Sequence, residues 1–384
     1  MGITLAWWNG EHVANVRRWD WLNITFLLGT MGLALVLVPV MFMHSLRHWG
    51  EWVVFLVMIC AVGLSVTCGY HRLFSHRAYR TRWPVRLVML CLGAASFENS
   101  ALQWASDHRL HHRQVDRGED PYNSRKGFWY SHWIWVMEAR TLPIASVADL
   151  QQDPLVRWQH RHHFIIGACA AALLPVLAGL WTGDLAGYLV IGLLLRIVVT
   201  HHTTFFINSA AHWFGTQPYS DACSARDNFL LAPLTYGEGY HNYHHAWQWD
   251  YRNGVKWYHW DPAKWLIRAM SWVGLASGLR TVPAPVIRQA RVRMEEKVML
   301  ARLARVPSQT AESLRDRVVR ARQRLDQALQ ALQEQREAWD RCQEAWNQRK
   351  AEWKRAMAQC RQEFRLAWED WKATRLAVRR AVYA

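Results

Sequence analysis

Four stretches of this chain are each about twenty residues long and almost wholly apolar: 23–43 (NITFLLGTMGLALVLVPVMFM), 50–70 (GEWVVFLVMICAVGLSVTCGY), 162–181 (HHFIIGACAAALLPVLAGLW) and 185–207 (LAGYLVIGLLLRIVVTHHTTFFI). A helix needs about 20 such residues to cross the hydrocarbon core of a bilayer, and inside that core every backbone N–H and C=O must find its partner within the segment. The chain is therefore expected to be an all-α integral membrane protein with four transmembrane helices arranged as two hairpins. A fifth stretch, about 85–104, is broken by Glu98, Asn99 and Ser100 and is expected to lie along the membrane interface without spanning it. The first apolar run starts near residue 23 and is long enough to remain as a span, so no cleavable signal peptide is expected.

The placement of basic residues orients the spans. Arg17 and Arg18 precede the first, arginines crowd the region between the hairpins, and everything after 208 is basic. The two short connecting loops hold Arg47 alone. By the positive-inside rule both termini then face the cytoplasm.

Composition divides the chain again. The overall mean hydropathy of −0.15 averages two unlike parts, because the last hundred residues contain almost none of the long apolar runs. From residue 284 onward about 23 Lys and Arg face 13 Asp and Glu, so roughly ten of the sixteen net positive charges lie there. The boundaries expected are a membrane domain over 1–282, a linker over 283–306 and a charged helical tail over 307–384. In the tail Val318, Leu325, Leu332, Trp339, Trp346, Trp353, Cys360 and Ala367 recur every seven residues, with Ala321, Ala328, Cys342 and Ala356 on a weaker second seam. That pattern predicts a coiled coil or a helical hairpin. Self-association, docking of an acidic redox partner and contact with anionic headgroups are the roles open to it; no fold or motif supports nucleic-acid binding. The seven cysteines show no CxxC spacing and are expected to be reduced packing residues.

The histidines carry the chemistry. They cluster as HRLFSH at 71–76, HRLHH at 108–112, NSAAH at 208–212 and HNYHH at 241–245. Residues at i, i+3 and i+4 share a helix face, so each HxxHH box is expected to aim three ring nitrogens at one point. Asn208 and His212 are one turn apart. His71 and His76 are five apart, a poor α-helical spacing, and are expected to be split across a helix end and the following loop. Set against the spans, all of these fall at one face, the cytoplasmic one. Neutral imidazoles packed this densely suit a redox transition metal. Asp107, Asp116, Asp120, Asp227 and Glu238 are nearby acids able to hold a second ring nitrogen. His201 and His202, inside a span, read as buried partners, and His160, His162 and His163 as markers of a membrane interface.

Five motifs in order, HRLFSHRAY (71–79), WASDHRLHH (104–112), EDPYNSRKGFWYSH (119–132), NSAAHWFG (208–215) and GEGYHNYHH (237–245), resemble the membrane-bound fatty acyl desaturases of the stearoyl-CoA desaturase type over roughly residues 20–265. The resemblance implies four spans under a cytoplasmic helical cap. It also implies two iron ions (Fe2+) held by His71, His76, His108, His111, His112, His212, His241, His244 and His245, with Asn208 acting through a bridging water. Zinc is the metal that such nitrogen-rich sites also bind. It implies substrate contacts at Asn99, Trp104, Asp107, Arg140 and Thr204, with Trp104 and Thr204 at a bend in an enclosed acyl tunnel. Ile59 and Gly63 would floor that tunnel. The chain departs from the family pattern at Glu98, where the acyl-CoA enzymes carry Gln, at Ser106, where they carry Arg, and at Ala139, which leaves Arg140 as the one match to a basic pair that meets the CoA phosphates.

The reaction expected is insertion of a cis double bond, of delta-9 type, into a saturated acyl thioester such as acyl-CoA, using O2 and two electrons. The chain has neither an HPGG haem motif nor CxxC pairs, so a separate electron-donor protein is expected. The neighbouring readings are a hydroxylase on the same scaffold and a metal-binding or transport membrane protein without catalysis; the latter predicts histidines lining a path within the spans.

Overall fold

A computed structural model describes residues 18–45, 49–139, 143–306, 309–341 and 346–383. Four helices among them are long and apolar enough to cross a membrane: Trp21–Met43, Trp49–Ser75, Pro154–Thr182 and Leu185–Trp213. The all-α membrane architecture read from the sequence is the one observed. Arg17, Arg47, Arg140 and Cys342 lie outside the described residues. The fold separates into two compact units, Met1–Val66 with Leu87–Ser209, and Thr67–Arg86 with Ala210–Ala384.

The first unit holds α1 (Trp21–Ser45), α2 (Trp49–Leu64), the larger part of α3 (Trp83–Ala94), α4 (Ala101–Gln114), α5 (Pro154–Thr182) and α6 (Arg196–Asn208). The spanning helices are mostly apolar, as lipid on one side and protein on the other require, and the charged side chain within the fourth span, Arg196, is buried. α5 starts eight residues earlier than its apolar run because Asp153 caps it, accepting from the Leu155 and Val156 N–H groups at 3.0 and 3.3 Å, with Pro154 in the first turn. It stops at Gly183, whose φ of +78° is the left-handed C-cap conformation. Gly167 of α5 lies against the end of α3 so closely that a Cβ there would stand 2.5 Å from the Ala94 carbonyl oxygen. The interfacial stretch expected over 85–104 resolves into the twelve-residue α3, a turn with positive φ at Phe97 and Asn99, and α4, which Ser100 caps by accepting from the Gln103 N–H.

The second unit holds α7 (Ala210–Trp213), α8 (His241–Ala246) and α9 (Pro262–Trp272), with β1 (Arg80–Thr81) pairing antiparallel to β2 (Ala276–Ser277). It also contains α10 (Ala284–Leu303), α11 (Gln309–Arg341) and α12 (Trp346–Tyr383). Trp339 stacks on Trp353 with ring centroids 4.1 Å apart, and Arg324 pairs with Asp370 at 3.1 Å. As one number falls the other rises, so α11 and α12 form an antiparallel hairpin. The stretch expected to be a linker, 283–306, holds α10. Its Val292, Met299 and Leu303 are buried in the same core as Leu314, Val318, Leu325 and Trp371. Glu295 of α10 accepts from the Trp371 indole and from Arg375, both at 3.1 Å. The heptad reading captured Val318, Leu325 and Ala367 but missed the α12 seam Phe364, Trp371 and Val378, because a repeat traced straight through the reversal assigns both arms one phase.

Candidate metal centre

The second span ends in a π-helical segment, Ser65–Ser75, and the His76 N–H bonds the His71 carbonyl five residues back at 3.1 Å. His71 lies inside this segment and His76 in the turn just past its end. A π-turn closes i to i+5 and puts residues five apart on one face, so the two rings meet with centroids 4.7 Å apart. His244 of α8 joins them at 4.4 and 4.8 Å, and its Nε2 lies 3.0 Å from that of His71. The three imidazoles each offer a nitrogen within 4.8 Å of the others.

A second group in the same unit takes the other α8 histidines. His241 Nε2 lies 3.1 Å from the Nε2 of His212 on α7 and 3.1 Å from that of His245. One HxxHH box therefore serves two positions: residues i and i+4 stack one turn apart, while i+3 is rotated off their line by about a sixth of a turn. The expectation of three nitrogens aimed at one point is corrected accordingly. The box on α4, in the first unit, follows the same rule. His108 and His112 approach Nε2 to Nε2 at 3.1 Å, and His111 turns to Asp120.

The remaining ring nitrogens are held from behind. His71 Nδ1 meets Glu238 at 3.0 Å and His111 Nδ1 meets Asp120 at 2.8 Å. The hydroxyls of Tyr122 and Ser224 meet His108 Nδ1 at 3.1 Å and His212 Nδ1 at 2.7 Å. An imidazole whose Nδ1–H is spent on a carboxylate presents its Nε2 lone pair. Two nitrogens bound at right angles to one metal, each at about 2.1 Å, stand about 3.0 Å apart, which matches the 3.0–3.1 Å separations here. The donor set thus fits a nitrogen-bound transition metal at more than one position.

Glu238 is fixed in turn by Arg72, which donates to it from Nε at 3.2 Å and Nη2 at 3.0 Å, and by Asn253 at 2.6 Å. Burial opposes its ionisation, but the charges and hydrogen bonds of His71 and Arg72 prevail and hold the carboxyl below the usual range. Gly237, at φ +101°, leads into it, and a Cβ there would stand 2.5 Å from Asp261 Oδ1. Of the five acids expected behind the rings, Asp120 and Glu238 fill that place. Asp227 instead accepts from the Tyr243 N–H at 3.0 Å, with burial pushing its carboxyl up to about 7. Asp116 takes the Ser124 hydroxyl at 3.1 Å and Asp107 the Gln103 amide at 3.1 Å. Sequence reasoning missed Arg72, Tyr122 and Ser224. Arg72, beside a candidate ligand at the end of an apolar run, was the legible signal, since a guanidinium at such a place needs a carboxylate partner.

Among the residues expected at the substrate, Trp104 stacks on His108 with centroids 4.7 Å apart and donates from its indole to Glu98 Oε2 at 3.3 Å. Thr204 also hydrogen-bonds Glu98, so the two residues expected at the bend meet on one carboxyl. Burial pushes that carboxyl up to about 7 against both bonds. Asn99 is exposed, with its Oδ1 accepting the Ser100 N–H at 2.9 Å. Ser106 accepts the Ala145 N–H at 2.9 Å. Ile59 and buried Gly63 lie one turn apart on α2, Asn208 ends α6, and Arg140 lies outside the described residues.

Fold and side chains together define a multi-pass membrane protein whose histidines form metal-binding groups. A family model for fatty acid desaturases matches residues 47–272. The chain is 40% identical over 298 residues to a probable acyl-CoA desaturase of Schizosaccharomyces pombe, covering 76% of this chain and 60% of that one. It is 42% identical over 248 residues to acyl-CoA desaturase 1 of Saccharomyces cerevisiae, covering 64% and 49%. To stearoyl-CoA desaturase 5 of Bos taurus it is 32% identical over 281 residues, covering 71% and 83%. The chain belongs to the fatty acid desaturase family. It spans about half to three-fifths of the length of the two yeast relatives.

Proposed function

We propose that this protein is an oxygen-dependent desaturase that inserts a cis double bond, of delta-9 type, into a saturated acyl thioester, acyl-CoA being the carrier that the relatives' names suggest. The observation that carries this reading is the pair of separate histidine groups within one unit, His71, His76 and His244, and His212, His241 and His245. Two groups call for two metal ions, and the family resemblance makes both iron. In this reading His108, His111, His112 and Asn208 complete the ligands, Asn208 through a water.

Two bound irons would supply an oxidant, made from O2, strong enough to take hydrogen from an unactivated methylene. The chain's own residues do the rest. Asp120 and Glu238 hold His111 and His71 in the tautomer that presents Nε2. Trp104 and Thr204, joined through Glu98, set the bend of the acyl chain. Ile59 and Gly63 form the tunnel floor, and a glycine there admits a longer chain. Asn99, Asp107 and Arg140 lie toward the carrier; with Ser106 in place of a basic residue, CoA phosphates have fewer partners, and acyl carrier protein or a lipid headgroup is the competing carrier. The basic residues flanking the spans place both termini and the metal centre on the cytoplasmic side. Electrons come from a separate donor protein. Residues 1–282 form the catalytic domain, and 307–384, with α10, a tail whose role is self-association or donor docking.

The test is expression in membranes with labelled saturated acyl chains and a reducing system, with products read by mass spectrometry. A cis-alkene is expected, and its loss together with iron in His111→Ala and His244→Ala. Hydroxylated product would overturn desaturation, and activity surviving either substitution would overturn the ligand assignment.

A further inference from the structure

In the second unit α9 is apolar on two opposite faces. Ala263, Ile267 and Met270 are buried. Trp265, Leu266, Ala269 and Trp272, with Val273 at the C-cap, fall at i, i+1, i+4, i+7 and i+8 and so share the other side. All five are exposed, Trp272 by 75% and Val273 by 70%. Trp260 extends this outer face, meeting Trp265 edge to face with ring centroids 5.4 Å apart. Arg268, also exposed, borders it. A continuous aromatic and aliphatic surface of this kind is rare on a protein surrounded by water and marks a place where something docks.

The two ends of α9 fix its depth. In its first turn the Ala263 carbonyl accepts from Cys68 Sγ at 3.7 Å. Cys68 is the twentieth residue of the span Trp49–Ser75, and about 20 residues cross the hydrocarbon core. α9 therefore begins where hydrocarbon gives way to headgroups. Past its last turn the Leu275 carbonyl accepts the Arg82 N–H at 3.3 Å, and β2 pairs with β1. Arg82 immediately precedes exposed Trp83, where α3 begins, the stretch expected along the membrane interface. Charge points the same way. The two segments that meet here, 77–86 and 251–282, carry nine Lys and Arg against a single acid, Asp261. Asp261 is buried and spent on Arg72 and on the N–H groups of Asn253 and Gly254, whereas Arg80, Arg82, Arg268 and Arg280 are exposed. We propose that α9 is an in-plane anchor whose outer face lies in the headgroup–acyl boundary of an anionic bilayer, with the surrounding arginines on the lipid phosphates. Tryptophan suits that boundary because its ring is apolar and its indole N–H donates, and arginine because its planar fork pairs with phosphate. An acidic protein would also answer the arginines, but the depth of α9 and the tryptophans on its outer face favour the bilayer.

The experiment uses the full-length chain in nanodiscs of equal parts phosphatidylglycerol and phosphatidylcholine. The photoreactive residue p-benzoylphenylalanine replaces Trp272 or Val273 in turn and, as a control, Gln323 on the exposed side of α11. After irradiation, peptides heavier by one phospholipid are expected from the two α9 positions, read by mass spectrometry, in at least about tenfold greater yield than from the control. Phosphatidylglycerol is expected to exceed phosphatidylcholine in these adducts at least about threefold, and the preference to vanish when Arg82→Ala and Arg268→Ala are added. Circular dichroism matching wild type qualifies each variant, and either α9 position alone suffices. Adducts to a second copy of the chain, or no lipid adduct from a variant of wild-type helix content, overturn the anchor. A control yield equal to that of α9 means indiscriminate labelling and overturns it too. Equal capture of the two lipids by the wild-type surround overturns the role of the arginines.

Discussion

Glu98 is a carboxyl where the family resemblance implies an amide. Its carboxyl, ordinarily near 4.5, is pushed up to about 7 by burial despite bonds from Thr204 and Trp104. A group raised on folding gives its full stabilisation below its unfolded value and loses it as pH rises through the folded one, because ionising the buried form is costly. Wild-type protein is therefore expected to lose up to about 3 kcal/mol between about pH 5 and pH 8, and Glu98→Gln to lose none of it. Thermal unfolding in detergent across that range checks this, and parallel curves for the two proteins would refute it. Asp120 makes a different kind of prediction, since its work is to hold His111 through Nδ1. Asp120→Asn is expected to weaken iron binding by about 10–100-fold while leaving the helix content intact, as measured by iron titration alongside circular dichroism. The acid and histidine types were legible in the sequence. Which acid stands behind which ring was not, since Asp116, Asp120 and Asp227 look alike in a string.

At the scale of elements, the informative cases are the π-turn and the HxxHH boxes. A spacing of five is a poor same-face match in an α-helix; the π-helical end Ser65–Ser75, with His76 in the turn after it, brings the two rings together all the same. An HxxHH box looks like one three-pronged ligand until the rotation of i+3 away from i and i+4 divides it between two positions. The approach of α5 to α3 is an element-scale constraint with its own prediction. Gly167→Ala sets a Cβ 2.5 Å from the Ala94 carbonyl oxygen, a backbone atom with little freedom to yield. A loss of about 1–3 kcal/mol is expected, read as a lowered unfolding temperature in detergent with the pH dependence unchanged. An unshifted midpoint would mean that the two helices separate without cost.

At the scale of the whole molecule, the tail builds its own core from α10, α11 and α12, with Trp371 fully buried at its centre. Trp371→Ala is expected to cost that core about 3–5 kcal/mol, so limited proteolysis should cut the variant after residue 284 far faster than wild type while iron content is unchanged. Iron loss in that variant would show that the tail supports the metal groups. Apolar run length by itself determined the membrane fold, because a bilayer leaves helices with no alternative. The residue types at 71–76, 108–112, 208–212 and 241–245 likewise determined a nitrogen-ligand chemistry, because few other roles use so many neutral imidazoles. Tertiary structure alone decided which histidines meet, since that depends on the local helical pitch and on the chain brought back from α7 to α8. It also decided that 284–303 belongs to the tail's core, because amphipathic helices show in sequence that they need a partner but not which one. And it alone set His132 within hydrogen-bond distance of His202 and Ser209, seventy-odd residues away, because such long-range contacts leave no local pattern in the chain.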